Sequence, residues 1–355
     1  MARTAIVLFN LGGPDGPGAV RPFLFNLFND PAIIAAPGPL RWLLAQVISR
    51  RRAPVARRIY DELGGGSPLL ANTEAQARAL EAVLNAQAGD GEIKSFIAMR
   101  YWHPTSEETA RAVKAYDPDR VVLLPLYPQF STTTTGSSIA AWAGAAARAG
   151  LEVPTRTLCC YPTEPGFVAE VAGRLGSALA QAGRQTDGHG APRVLFSAHG
   201  LPKKIVERGD PYRWQVERSA AAVVEVLGQE GGQADLDWRI CYQSRVGPLE
   251  WIGPSTEAEI ARAGRDGVAL VVVPIAFVSE HSETLVELDI EYRRLAIEAG
   301  VPAYIRVPTV GTGAAFIAGL ADLVRLALAD SRSLRSQEGG RLCPSDCSGC
   351  PRAAD

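Results

Sequence analysis

Ala269-Leu-Val-Val-Val-Pro-Ile-Ala-Phe-Val278, continuing as Ser279-Glu280-His281-Ser282-Glu283-Thr284-Leu285-Val286-Glu287-Leu288-Asp289-Ile290-Glu291-Tyr292, is the stretch that decides the fold. Its first half is an unbroken apolar run, the pattern of a strand covered on both faces in a parallel sheet. Its second half reads as a helix, with Ser279 or Ser282 available as N-cap. Glu283, Glu287 and Glu291 are spaced four apart, so they share one helix face. Leu285, Leu288 and Tyr292 form an apolar stripe on another. Carboxylates at this spacing repel by roughly 0.2–0.5 kcal/mol per pair. A solvated surface helix would mix in Lys or Arg, and this one does not. The helix dipole accommodates Glu283, Glu287 less well, and Glu291 not at all. An acidic ridge that handles a cation accounts for all three. His281 sits at the carboxyl end of the strand, where open α/β sheets place their ligand sites.

The same order recurs along the chain. Apolar runs alternate with helical patterns, which predicts an α/β fold with parallel sheets. Arg193-Val-Leu-Phe-Ser-Ala-His199-Gly200 matches Thr4-Ala-Ile-Val-Leu-Phe-Asn-Leu-Gly-Gly13. Trp238-Arg-Ile-Cys241-Tyr242 matches the strand that ends in Arg100-Tyr101. Leu270 to Phe277 matches Val122 to Tyr127, each with a proline near the end of the run. The sequence therefore predicts a duplicated unit: two similar doubly wound (Rossmann-like) domains facing one another across a cleft. We place the N-terminal domain at 1–155, the C-terminal domain at 156–330, and a polar linker with a cysteine-rich tail at 331–355.

A chain of 355 residues suits two domains, and a hydrophobic content of 47% is ample for two cores. The formal net charge of −2 and the lack of a basic tract argue against a nucleic-acid partner. The first apolar run is too short for a signal peptide or a membrane span, so a cytoplasmic protein is expected. Residues 31–52 differ in character. Pro37, Gly38 and Pro39 precede Leu40, Trp42, Leu43, Leu44, Val47 and Ile48, and Arg50, Arg51 and Arg52 follow. This reads either as a core helix or as a protruding apolar lip with cations for lipid headgroups or a ligand's carboxylates.

Two further sites stand out. His199 ends a buried strand, as the run before His281 does. Paired with Glu283, it suits proton removal together with handling of a divalent cation. A serine-hydrolase reading through Ser197 or Ser279 fails, because neither sits in a Gly-x-Ser-x-Gly elbow. The tail Cys343-x3-Cys347-x2-Cys350 has metal-binding spacing in a chain expected to be reduced. Three thiolates need a fourth ligand, for which Cys159-Cys160 is the candidate. Four thiolates fit tetrahedral Zn or a [2Fe–2S] cluster.

Taken together these motifs resemble the ferrochelatases, which insert Fe(II) into a porphyrin. The resemblance runs nearly end to end. It is carried by Leu11-Gly-Gly-Pro14, Gly64-Gly-Gly-Ser-Pro68, Arg100-Tyr101-x-His-Pro104, Tyr127-Pro-Gln-Phe-Ser131, Phe196-Ser-Ala-His199-x-Leu-Pro202, Arg208-Gly-Asp-Pro-Tyr212, Gln243-Ser-Arg-Val-Gly-Pro248, Trp251-x-Gly-Pro254 and Pro274 to Tyr292. It implies two Rossmann-like domains with a porphyrin cleft, and formation of protohaem from protoporphyrin IX as the last step of haem synthesis. By resemblance, His199 is the essential histidine, as proton acceptor or metal ligand, and Glu283 is its acidic partner. His281, Glu287 and Asp289 line the path of iron or protons. Arg52, Ser67 and Arg100 hold propionates, Tyr60 and Tyr127 line the pocket, and Trp251 is a pocket wall. The lip at 31–48 becomes a peripheral membrane contact. Some relatives carry a [2Fe–2S] cluster, here on Cys343, Cys347, Cys350 and Cys160, with Cys159 the alternative fourth ligand. The close spacing of the tail differs from the wider animal-type pattern. The chain is expected to act as a monomer or homodimer. The competing readings are a chelatase for coproporphyrin or another metal, and a non-catalytic porphyrin- or haem-binding protein.

Overall fold

Ala5 to Phe9 is apolar at every position, and such a run is stable in a sheet only with both faces covered. It forms β1 (Arg3–Asn10), buried from Thr4 onward. The structure, a computed structural model, describes residues 2–86, 91–186, 190–231, 235–245 and 249–352, the side chains of 230 and 231 excepted. Val246-Gly-Pro248, the end of one quoted motif, lies outside the described residues. The remaining strands are β2 (Glu92–Met99), β3 (Arg120–Pro125), β4 (Thr155–Leu158), β5 (Arg193–His199), β6 (Trp238–Gln243), β7 (Leu270–Pro274), β8 (Tyr304–Arg306) and β9 (Leu334–Arg335).

The chain divides into two compact units: Met1–Cys160 with Leu320–Leu342, and Tyr161–Gly319 with Cys343–Ala353. The first holds a parallel sheet in the order β2-β1-β3-β4-β9. The second holds a parallel sheet in the order β6-β5-β7-β8. Leaving β9 aside, the two orders are the same, strand for strand. This is the duplication that the matched runs imply. Leu334–Arg335, within the stretch read as a linker, adds β9 to the edge of β4.

In each unit the chain starts in the middle of the sheet, moves to one side, then crosses to the other. That reversal leaves a crevice at the carboxyl ends of the two central strands, where open α/β sheets bind ligands. In the second unit the central strands are β5 and β7. β5 ends on His199, and the segment leaving β7 carries Glu283. The core behind them includes Leu195, Cys241, Ile260, Leu270, Val272, Leu288, Tyr292 and Tyr304. Each fully buried aliphatic side chain contributes about 1.5–3 kcal/mol.

The helix expected after β7 is a π-helix, Glu283–Tyr292, which passes into the α-helix Arg293–Glu298. Ser282 is its N-cap position but makes no side-chain capping bond. Thr284 closes the entry instead: its hydroxyl accepts from the His281 amide (3.0 Å) and donates to the His281 carbonyl (3.0 Å). The buried side is Thr284, Val286, Leu288 and Tyr292, whereas Leu285 is only half-buried. π-Helical turns are rare and concentrate at functional sites.

Candidate functional site: an imidazole–carboxylate cluster

Register places the first two members. His199 lies directly opposite Gln243 across the β5–β6 pair. The next amide, Gly200, donates to the Gln243 carbonyl at 2.8 Å. A Cβ on Gly200 would stand 2.9 Å from that carbonyl oxygen and 3.2 Å from the Trp251 ring. Glycine therefore lets Trp251 pack against the residue next to His199. Trp251 is fixed by a bridge to Pro202, and its indole Nε1 is buried without a hydrogen bond.

Glu283 brings a carboxylate oxygen to 2.7 Å from His199 Nδ1. Since the carboxylate accepts, Nδ1 carries the proton, and Nε2 of the neutral ring keeps its lone pair. The His199 side chain is 40% exposed, so that lone pair belongs to an accessible ring. Desolvation works to lower the His199 pKa. The charge and hydrogen bond of Glu283, with help from Glu287, outweigh it, and the pKa lies above 6.5. Desolvation in turn works to raise Glu283. The imidazole of His199, with lesser contributions from His281 and Ser244, overrides it and holds the carboxyl well below its usual range.

Behind this dyad sits Glu287. It accepts from Gln243 Nε2 (3.0 Å), the Ser244 amide (2.8 Å), the Ser244 hydroxyl (2.5 Å) and the Tyr292 hydroxyl (3.0 Å). Burial and the neighbouring Glu283 charge raise its pKa. Gln243, fully buried, also donates to the Glu283 main-chain carbonyl at 3.0 Å and accepts from Ser197 at 2.8 Å. Ser244 has φ +61°, a left-handed conformation that costs a non-glycine residue of order 1–3 kcal/mol. The conformation delivers both its amide and its hydroxyl to Glu287. The same hydroxyl lies 3.3 Å from Glu283. Tyr292 bridges onward to Glu257 at 3.1 Å, in the first turn of the helix Thr256–Asp266, which Ser255 caps. A phenol has one proton. Its contacts with Glu257 and Glu287 therefore share that one proton.

His199, Glu283 and Glu287 are thus brought together. His281 stands close enough to lower Glu283, buried beside Phe277 with ring centroids 4.8 Å apart. Its Nδ1–H donates to the Ser279 carbonyl at 3.0 Å. Asp289 is engaged elsewhere. It pairs with Arg306 (2.6 Å) and Arg293 (3.3 Å), and Arg306 also holds Glu280. Glu291 is exposed. Gln243, Ser244, Tyr292 and Glu257 were not singled out from the sequence as site residues.

The first unit gathers a second polar cluster at the end of β2. Arg100 donates to Asp30 (2.7 Å) and Ser137 (2.6 Å), and its guanidinium lies over the Tyr101 ring. Asp30 is buried and also accepts from the Tyr101 hydroxyl (2.8 Å) and Ser137 (2.6 Å). Burial and the Asp30 charge raise the Tyr101 pKa. Tyr60 is buried in the apolar cluster that includes Tyr101. Tyr127 packs on the β1–β3 core, with burial raising its phenol. Ser67 donates its amide to the Pro14 carbonyl at 2.7 Å, and a Cβ on Gly13 would stand 2.6 Å from its side chain. Arg52 is exposed on the helix Gly38–Asp61.

All six cysteines are free thiols. Cys159 and Cys160 lie side by side, Sγ to Sγ 3.6 Å, in a small core with Phe130. Cys343, Cys347 and Cys350 are folded back on one another. The Cys350 amide donates to the Cys347 carbonyl (3.0 Å), and Cys343 hydrogen-bonds Cys350, which with burial raises the Cys343 pKa. Among the described residues no group of three or more His, Cys, Asp or Glu side chains is set out to hold a metal ion. The chemistry of the tail's three thiols still fits the thiolate positions of an iron–sulfur or zinc site.

The doubled parallel α/β fold, which carries this imidazole–carboxylate dyad at a switch point, is of the chelatase type. SirB from Bacillus subtilis, solved with Fe3+, shares this fold. The likeness covers 93% of this chain and 97% of that one at a TM-score of 0.51, with 13% identity. The chain belongs to the ferrochelatase family. The family described as Ferrochelatase matches residues 3–328. The Ferrochelatase of Caulobacter vibrioides is 54% identical over 349 residues, 98% of this chain and 97% of that protein. That of Phenylobacterium zucineum is 55% identical over 342 residues, 96% of each.

Proposed function

We infer that the chain inserts Fe(II) into a porphyrin to form haem, with protoporphyrin IX as the substrate. The observation that carries the residue assignment is the 2.7 Å contact between His199 and Glu283 at the carboxyl ends of the central strands. Metallation exchanges the two pyrrole N–H protons for the metal ion. His199 Nε2 accepts a pyrrole proton, and the imidazolium formed is stabilised by ionised Glu283. Glu287 takes protons in turn, because burial and Glu283 raise its affinity for them. Trp251 packs a flat apolar surface beside the base, and His281 biases Glu283 toward its anion. Arg52, Ser67 and Arg100 hold the propionates, Tyr60 and Tyr127 line the pocket, and Asp289 fixes the outer part of the π-helix through Arg293 and Arg306. Purified protein mixed anaerobically with protoporphyrin IX and Fe(II), or Zn(II) as surrogate, gives the metalloporphyrin spectrum. Faster turnover of coproporphyrin would reassign the substrate, and tight binding without metallation would replace the enzyme by a carrier.

We also propose a thiolate-held [2Fe–2S] cluster, with Cys343, Cys347 and Cys350 as ligands and Cys160 as the fourth on sequence grounds. Such a cluster would supply visible absorption and a redox-sensitive structural tie. Freshly purified protein is then brown, and Cys347→Ser loses that absorption. A colourless protein that contains zinc contradicts the cluster.

Finally, we propose that residues 31–48 touch a membrane surface. Trp42 and Leu43 are 52% and 54% exposed, Leu40, Leu44 and Val47 are exposed beside them, and Arg50, Arg51 and Arg52 follow. That combination suits an interfacial helix. No described helix is long and apolar enough to cross a membrane. The protein is expected to sediment with anionic phospholipid vesicles and Leu43→Asp to stay in the supernatant. Equal partition of the two would remove the lip from membrane contact.

A further inference from the structure

Metallation frees two protons, and the dyad can keep neither. His199 must become neutral again before it accepts the second, and Glu283 is held ionised beside it. Glu287 has room for one. The other needs a further acceptor, and the side chains behind the dyad lead to one.

A run of hydrogen bonds passes outward from His199 within the second unit. His199 Nδ1 meets Glu283 at 2.7 Å. The Ser244 hydroxyl lies 3.3 Å from Glu283 and 2.5 Å from Glu287. The Tyr292 hydroxyl lies 3.0 Å from Glu287 and 3.1 Å from Glu257. Each hydroxyl thus stands between two carboxylates with a single proton to share, the arrangement of a relay. Tyr292 is 5% exposed and packs in the core with Leu288 and Tyr304, where a phenylalanine would serve if only packing mattered. Glu257 comes from a different element, the first turn of the helix Thr256–Asp266. The helix dipole favours an acid there, but it does not require that acid to turn to a core phenol. One Glu257 oxygen meets Tyr292, and the other, Oε2, is buried with no hydrogen bond, so a position for a proton is open on it.

We propose that Tyr292 and Glu257 form the outer half of a proton relay, in which Glu257 takes up one of the two protons of metallation through the Tyr292 hydroxyl. The inference rests on the roles of His199 and Glu287 given above. Each step moves one proton. Protonated Glu287 gives its proton to the Tyr292 oxygen as Tyr292 gives its own to Glu257. Glu287 is then ionised again, Tyr292 is again a neutral phenol, and Glu257 is a carboxylic acid. Glu287 now accepts the second proton from the His199 imidazolium by way of Glu283 and the Ser244 hydroxyl. Both acids pass their protons to water within the turnover, and Glu257 is only half-buried.

The test uses the full-length protein with protoporphyrin IX and Zn(II). Tyr292→Phe keeps the ring in the core and removes the relay hydroxyl. Glu257→Ala removes the acceptor and leaves room for a small carboxylate. Each lowers kcat by about 10- to 100-fold, up to the lower end for a positioned acid or base, with KM for the porphyrin unchanged. The double variant is little slower than the slower single one, because the relay is already cut. Sodium formate raises kcat of Glu257→Ala several-fold over sodium chloride at equal ionic strength. It leaves the wild type and Tyr292→Phe unchanged, since the added carboxylate accepts a proton only from an intact phenol. Loss of packing alone would not respond to formate. Should Tyr292→Phe fail to fold, the formate response of Glu257→Ala decides alone. Wild-type kcat in either single variant, effects that multiply independently, or a loss in Glu257→Ala that formate leaves in place would overturn the proposal. An unsubstituted chain that fails to metallate porphyrin would instead overturn the chelatase reading, and this inference with it.

Discussion

His199→Ala is expected to lower kcat for metallation by about 10²–10⁴-fold, the usual contribution of a positioned general acid or base. Proton balance sets this effect. A metal ion cannot occupy the four-nitrogen plane until both pyrrole protons leave. His199 offers an accessible lone pair because Glu283 holds Nδ1–H. Alanine removes that acceptor and leaves Glu283 without its cationic partner. Binding of the macrocycle rests largely on apolar and propionate contacts, so KM for porphyrin changes little. Steady-state metallation with Zn(II), read beside porphyrin binding by fluorescence quenching, separates the two. A large rise in KM with kcat retained would make His199 a binding residue.

Glu283→Gln is expected to lower kcat by about 10²-fold, as loss of one preorganised electrostatic partner does, and to shift the pH profile. The base must be neutral, so the wild-type rate rises with pH through the His199 pKa, which Glu283 holds above 6.5. The amide removes the negative charge while desolvation remains. The His199 pKa therefore falls, and the rising limb moves to lower pH. Stability follows the same pair. The raised imidazole stabilises the fold fully at low pH and loses that contribution as pH rises through its folded pKa. The depressed carboxyl stabilises above its unfolded value of 4.5 and loses that contribution as pH falls toward about 2. The stability difference between wild type and Glu283→Gln is thus greatest between pH 4.5 and 6.5. An unmoved kinetic limb would assign it to another group.

The features legible in the sequence are those written in local runs. β1, β5 and β7 announced themselves as apolar stretches ended by turn residues, and three matched runs gave the duplicated strand order. His199 and Glu283 were legible because each follows a buried strand closely. The π-helix was not: the stripe Leu285, Leu288 and Tyr292 fits i→i+4 spacing, whereas the i→i+5 helix buries Thr284, Val286, Leu288 and Tyr292. Ser244 was invisible as a site residue because its role depends on φ +61° and on β5–β6 register. Asp30 lies 70 residues from Arg100, and nothing local marks it as the buried anion that holds that arginine. Glu257 meets Tyr292 across 35 residues in the same way. Asp289 shared the acidic helix with Glu283, yet packing turned it to Arg306.

The most direct test of the central claim is a single turnover. Protein saturated with protoporphyrin IX is mixed anaerobically with Fe(II), while haem formation and proton release are followed together by absorbance and a pH indicator. The wild type is expected to release both pyrrole protons as haem appears. His199→Ala is expected to keep its bound-porphyrin spectrum, release no protons and form no haem on that timescale. Haem formation at the wild-type rate by His199→Ala would contradict the account.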